Sequence, residues 1–216
     1  MKKNFKLLLF FTITLSLFST GCVTTSKNTT HQIVQHQYKD FNCSDYYHYK
    51  AELNHEGRDV TPAQAYEMVL ADPEHTFIID ARTPAEYAFI GHPTGSYNIP
   101  LKFSTNEIEE KERHLTPKMT ANNNFGKDLL AKFNTSTDTL IFMCRSGKRS
   151  CMACDEAIKV GFSKEKLFSL LGGFEGGKIE NKNSAFYGQR KAGGWVNEGL
   201  PWDYKLDANL AYMPSK

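Results

Sequence analysis

From about Arg58 onward, apolar residues recur along this chain with two alternating periods. Thr61-Pro62-Ala63-Gln64 has the form of a capping box with proline at the first helical position, and Ala65, Met68 and Val69 follow at helical spacing. Asp72-Pro73 ends that helix, and Thr76-Phe77-Ile78-Ile79 reads as a short buried strand running into Asp80. A second capping box, Thr83-Pro84-Ala85-Glu86, opens another short helix, stopped by Gly91-His92-Pro93. Tyr97-Asn98-Ile99 is a brief strand, Leu129, Leu130 and Phe133 predict a helix, and Thr139 to Met143 is an apolar strand. Ala153, Ala157 and Ile158 continue as a helix ended by Gly161, and Leu167 to Leu171 is a last strand. Strands alternating with helices predict an α/β fold with a central, mostly parallel sheet and helices on both faces. Ligand crevices of such sheets lie at the carboxyl ends of the strands. Asp80, Pro100, Cys144 and Gly172 fall at such ends, so the site is expected along that edge.

The first 57 residues follow another pattern. Lys2, Lys3 and Lys6 precede the apolar run Leu7 to Phe18, and Ser19-Thr20-Gly21-Cys22 follows. That run is shorter than the ~20 residues a spanning helix needs and fits the apolar region of a signal peptide. Gly21-Cys22 resembles a bacterial lipobox, with lipidation expected on Cys22, although Ser19 stands where that pattern usually has Leu. A secreted protein cut nearby and an uncleaved anchor are the other two readings, and all three place the remainder outside the cytoplasm. Val23 to His36 is polar and lacks a period, which suits a tether, whereas Tyr46, Tyr47 and Tyr49 are too aromatic for a pure linker and predict packing onto the domain.

Charge changes meaning once the signal is set apart. Lys+Arg 26 against Asp+Glu 24 gives +2, but without the three lysines of residues 1–21 the balance is 23 against 24. A chain so nearly neutral is not built to live on nucleic acid.

The chemistry concentrates in one loop. Cys144-Arg145-Ser146-Gly147-Lys148-Arg149-Ser150 lies between a buried strand and a helix start. A cysteine there faces backbone N–H groups, a helix N-terminus and three cations, a setting that favours thiolate over thiol. The same amides form a nest for an oxyanion, and Gly147 lets the backbone turn tightly. The bland alternative is a small buried cysteine ending a strand beside a solvated basic loop.

These residues resemble the rhodanese-like sulfurtransferases over roughly Arg58 to Trp202. Asp80-Ala81-Arg82-Thr83-Pro84-Ala85-Glu86-Tyr87 looks like that family's first signature, and the run from Gly91 to Pro100 like its continuation. Leu171-Gly172-Gly173 and Gly194-Trp195 through Gly199-Leu200-Pro201 resemble its closing signature. The six residues from Cys144 to Arg149 have the length associated with sulfurtransferases, whereas a phosphatase-type Cys-x5-Arg loop would need arginine at Ser150. The resemblance implies a three-layer rhodanese-like domain at 58–204 with an insertion at about 174–192; the N-terminal pattern sets a signal at 1–21 and a tether at 22–57 before it, and a tail at 205–216 follows. It implies a sulfane sulfur carried as a persulfide on Cys144, from a thiosulfate-like anion to a thiophilic acceptor, without metal or organic cofactor. Arg145, Ser146, Gly147, Lys148 and Arg149 would bind the donor, with Arg145 and Arg149 as its main charges. Asp80, Arg82 and Glu86 would support the site, Arg82 and Glu86 as an i,i+4 ion pair. His92 is assigned a structural hydrogen bond, and Trp195 and Trp202 belong to the core. The membrane, through the lipid on Cys22, and a small thiol or a protein as acceptor complete the expected partners, with no nucleic acid.

Cys151-Met152-Ala153-Cys154 leaves alternatives open. Both cysteines share a helix face, where they either pack against the sheet or, with Cys43, offer a partner to Cys144. A thiol-redox protein and a non-enzymatic sulfur-carrying or binding module therefore stand beside the sulfurtransferase. The insertion is expected as an ordered surface loop that either shapes the active-site mouth or decorates the fold.

Overall fold

The computed structural model of the chain describes residues 49–111 and 114–213. The signal, Cys22, Cys43, Tyr46 and Tyr47 lie outside those residues. In chain order the elements are β1 (Arg58–Val60), α1 (Pro62–Ala71), β2 (Thr76–Asp80), α2 (Pro84–Ile90), β3 (His92–Pro93), β4 (Tyr97–Asn98), β5 (Lys102–Lys111) and β6 (His114–Ala121). They continue with α3 (Phe125–Leu130), β7 (Thr139–Met143), α4 (Lys148–Lys159), β8 (Leu167–Leu170), β9 (Gly177–Lys178), β10 (Arg190–Ala192) and β11 (Trp202–Asp203).

Five strands form the central sheet in the order β1-β8-β7-β2-β4, and every pairing is parallel. A parallel sheet must be covered on both faces, which is why β7 is buried continuously from Leu140 to Met143. Leu140 and Phe142 join Ile79 of β2 and Leu167 of β8 against Phe125 and Leu129 of α3 and Ala153, Cys154 and Ala157 of α4. Alternation along the strands sends Ile78, Ile141 and Met143 to the other face, the one α1 covers. Burying one such Leu or Phe contributes roughly 1.5–3 kcal/mol.

Both capping boxes form. Thr61 Oγ1 accepts from Gln64 N at 3.3 Å while Gln64 Oε1 accepts from Thr61 N at 3.0 Å. Thr83 and Glu86 make the same exchange at the start of α2. The helix expected around Leu129 begins earlier, at Phe125, and ends before Phe133.

One region departs from the sequence pattern. Between Leu101 and Asn122, where no element was predicted, β5 and β6 pair as an antiparallel hairpin from Lys102↔Ala121 to Lys111↔His114. Its feet are joined by the hydrogen bond from Asn122 N to Leu101 O at 3.0 Å. The 174–192 segment is a loop whose ends are woven into the domain. Phe174 is buried, β9 pairs with β10, and Phe186 and Tyr187 are exposed in the middle. Tyr49, within the expected tether, lies on the domain: Gly194 N donates to its hydroxyl at 2.9 Å, and the hydroxyl donates to Glu198.

Candidate active site

The loop from Cys144 to Ser150 leaves the buried end of β7 and turns into the first residues of α4. Its path is set by the segment that follows β8. Phe174 N donates to Cys144 O at 2.7 Å, and Glu175 N donates to Arg145 O at 2.9 Å. For these backbones to meet, Gly173 must be bare: a Cβ on it would stand 2.4 Å from Cys144 O, and its φ is +60°. Gly147 turns the other end at φ +121°, and its N–H donates to Cys144 Sγ at 3.2 Å. That N–H is placed to hold negative charge on the sulfur or on a second sulfur attached to it. Behind the loop, Ser150 donates to Gly147 O and accepts from Ser169 Oγ at 3.0 Å, and Cys144 Sγ lies 4.0 Å from the Ser150 oxygen.

Cys144 lines an open cavity of about 520 Å³ together with Arg145, Ser146, Lys148 and Arg149. Among the described residues Arg145 and Lys148 are exposed and carry no ion pair. Arg149 differs from its expected role. Its guanidinium forks onto both oxygens of Glu86, at 2.7 and 2.6 Å, so its charge is committed to protein. Burial alone would raise the Glu86 carboxyl, but the hydrogen bonds and charge of Arg149 outweigh it and hold the group down at about 2. Glu86 therefore both caps α2 and ties α2 to the cysteine loop.

The expected Arg82–Glu86 pair is replaced by another. Arg82 is fully buried and donates to Asp80 through Nε at 3.0 Å and Nη2 at 2.6 Å, with Nη2 also reaching Gly91 O at 2.6 Å. Its guanidinium carbon lies 4.3 Å from the centre of the Phe174 ring. The i,i+4 spacing allowed Glu86, but the turn after β2 points the Asp80 carboxylate back at the Arg82 backbone N–H, 3.0 Å away, and captures the side chain. Neither Asp80 nor Arg82 lines the cavity. They brace the strand-to-helix turn beneath it. His92 is buried, stacks on Tyr87 at 3.7 Å and meets Tyr87 O at 3.0 Å through Nδ1. Trp195 is buried as expected of a core residue, whereas Trp202 is half-buried and packs edge-on against Phe174.

Cys151 and Cys154 are both buried on the sheet side of α4, and both are free. Cys151 Sγ meets Ser169 Oγ at 3.4 Å, and burial pushes the Cys154 thiol well up. Cys154 belongs to the hydrophobic core, where a thiol behaves as a small apolar group.

Other residues of the cavity had gone unnoticed in the sequence. Glu175 lines it, and burial raises its carboxyl against the opposing charges of Arg145 and Arg82. Lys102, Ser104, Pro117 and Met119 of the hairpin also line it. For Glu175 the signal was its place just after Gly172-Gly173-Phe174. For the hairpin it was the alternation of Leu115, Pro117, Met119 and Ala121 with His114, Thr116, Lys118 and Thr120, masked by Pro117, which argues against an interior strand.

The rhodanese-like domain family matches the chain over residues 61–180, more than half its length. A crystal structure of the M. tuberculosis protein Rv0390 is 30% identical, with a TM-score of 0.53, and the match covers 69% of this chain and 98% of that one. The uncharacterized protein RP600 of Rickettsia prowazekii is 25% identical over 148 residues, covering 68% of this chain and 98% of the relative. The senescence-associated protein DIN1 of Raphanus sativus is 31% identical over 110 residues, 51% of each chain.

Proposed function

The chain belongs to the rhodanese-like domain family, and from that premise we propose that it is a sulfurtransferase working through a persulfide on Cys144. The observation that carries the reading is the setting of Cys144 Sγ. It lines an open cavity, receives the Gly147 N–H at 3.2 Å, and shares its wall with Arg145 and Lys148, cations without an ion pair among the described residues. In the first step the Cys144 thiolate attacks the outer sulfur of thiosulfate. The sulfur–sulfur bond of the donor breaks, its electron pair leaves with sulfite, and Cys144 keeps an anionic persulfide. Arg145 and Lys148 bind the donor oxyanion, and the Gly147 N–H holds the negative sulfur that remains. In the second step an acceptor takes the outer sulfur and returns Cys144 as thiolate. Cyanide, the simplest acceptor, leaves as thiocyanate.

The six-residue loop from Cys144 to Arg149 supports sulfur over phosphate chemistry, since Ser150 replaces the arginine a longer loop would need. The burial of Cys154 within the core and the contact of Cys151 with Ser169 favour this reading over a dithiol mechanism. Thiocyanate production from thiosulfate and cyanide is the test. Wild-type protein is expected to turn over with two-step ping-pong kinetics, and Cys144→Ser to lose at least about a thousandfold, the scale of removing a covalent nucleophile. Wild-type turnover by Cys144→Ser would end the proposal.

We further propose that the enzyme works outside the cytoplasm, anchored by lipid on Cys22. The basic start, the apolar run and Gly21-Cys22 support this. Palmitate labelling that is sensitive to globomycin is the expected result, and an unlabelled Cys22 would overturn it.

A further inference from the structure

The cavity that holds Cys144 has a second wall, and the sulfur-donor reading leaves that wall unused. It is the inner face of the β5–β6 hairpin. Opposed residues of an antiparallel pair share a face, and so do residues two apart along a strand. The register Lys102↔Ala121, Ser104↔Met119 and Ile108↔Pro117 therefore sets Lys102, Ser104, Met119 and Pro117 on one side. All four line the cavity. Phe103 points the other way and packs on Tyr212 at 5.5 Å.

The charges on this wall are not equivalent. Lys111, which also lines the cavity, is paired with Glu109 at 2.6 Å, and Lys118, outside the cavity lining, with Glu107 at 2.7 Å. Lys102 is half-buried, lines the cavity and has no ion pair among the described residues. A half-buried, unpaired ammonium beside the apolar Met119 and Pro117 is a seat for an anion carried on a short carbon chain. Thiosulfate has no such chain, and its oxyanion already has Arg145 and Lys148.

We propose that the hairpin wall is the acceptor subsite, and that its occupant is a small thiol carrying a carboxylate, with Lys102 holding the carboxylate. This rests on the persulfide reading of Cys144. The acceptor thiol passes its proton to the outer sulfur of the anionic persulfide, and the thiolate so formed attacks that sulfur. The Cys144 sulfur–sulfur bond breaks, its electron pair returns to Cys144 as thiolate, and the proton leaves with the product hydropersulfide. A volume of about 520 Å³ suits such a small ligand.

Two experiments on the full chain test this, one without turnover. Alkylation of Cys144 by iodoacetate and by iodoacetamide, followed by mass spectrometry at that residue, compares an anion with its neutral analogue. The rate ratio is expected to fall about threefold in Lys102→Gln, the scale of one partly exposed charge, and to hold in Lys118→Gln. An unchanged ratio in Lys102→Gln overturns the subsite. With thiosulfate as donor, 3-mercaptopropionate and 2-mercaptoethanol are then compared as acceptors. Lys102→Gln is expected to raise KM for the carboxylate thiol about threefold relative to the neutral one. An equal loss for both thiols, or a loss that follows thiosulfate concentration instead, assigns Lys102 elsewhere and overturns the proposal. If the alkylation ratio falls but no sulfur is transferred to any acceptor, the persulfide reading fails while the anion seat stands. Strong acceleration only by a protein thiol, with no preference between the small ones, replaces the small acceptor by a protein and counts against it.

Discussion

The loop that carries Cys144 and the β5–β6 hairpin face the same cavity, yet they are held in opposite ways. The loop is fixed from behind by backbone: Phe174 and Glu175 donate to the carbonyls of Cys144 and Arg145, and Gly173 is the only kind of residue that lets them approach. One forked ion pair, Arg149 on Glu86, closes its far side. The hairpin stands on its own ladder, with exposed pairs such as Lys118–Glu107 and exposed apolar side chains at Ile108 and Leu115. The cysteine loop sits on the buried frame, and the second wall of the cavity sits on a part tied to the rest by fewer buried contacts.

The sharpest way to break that contrast is at Gly173. Alanine there would need to move Cys144 O from a 2.4 Å contact at a φ of +60°, so a loss of about 3 kcal/mol, or failure to fold, is expected in urea denaturation. Next comes the ion pair. Glu86→Gln leaves a half-buried guanidinium with a neutral partner and is expected to cost about 2 kcal/mol, with sulfur transfer reduced as the loop loosens.

Acid sharpens the same point. The Glu86 carboxyl lies at about 2 in the folded protein, below the ordinary value near 4.3. The stability it supplies is complete above that ordinary value and is lost as pH falls toward 2. The stability gap between wild type and Glu86→Gln should therefore be constant from pH 7 to 5 and shrink below 4.3. A gap that does not shrink would show that the pair is not the cause.

The hairpin predicts smaller effects. Replacing 103–120 by Gly-Gly, so that Lys102 and Ala121 keep their pairing across a two-residue turn, should change stability by about 1 kcal/mol or less. Collapse of the fold in that variant would erase the distinction between the two walls. Smallest of all, Lys118→Gln should fall within about 0.5 kcal/mol, because its partner Glu107 is on the surface.

Much of the frame was legible beforehand because its signals are local. Two Thr-Pro capping boxes, the apolar run into Cys144, and the glycines after β8 each declare themselves within a few residues. The partners of the charged residues did not. Glu86 and Arg149 are 63 positions apart, and only the parallel pairing of β2 with β7 brings the helix and loop that follow them side by side. Arg82 had two carboxylates in reach along the chain, and the direction of the turn after β2 chose Asp80. The hairpin stayed hidden because β5 shows no apolar alternation and the alternation in β6 runs through Pro117, which argues against an interior strand.

Taken alone, the sequence determined the α/β class, the rhodanese-like family and the cysteine around which the site is built. Helical and strand periods are read residue by residue, and a cysteine between a buried strand and a helix start needs no distant partner to be noticed. The tertiary structure decided which cations at the cavity remain unpaired among the described residues. A charge is silenced only by a neighbour in space: Glu86 takes Arg149, Asp80 takes Arg82, and Arg145, Lys148 and Lys102 are left facing the cavity.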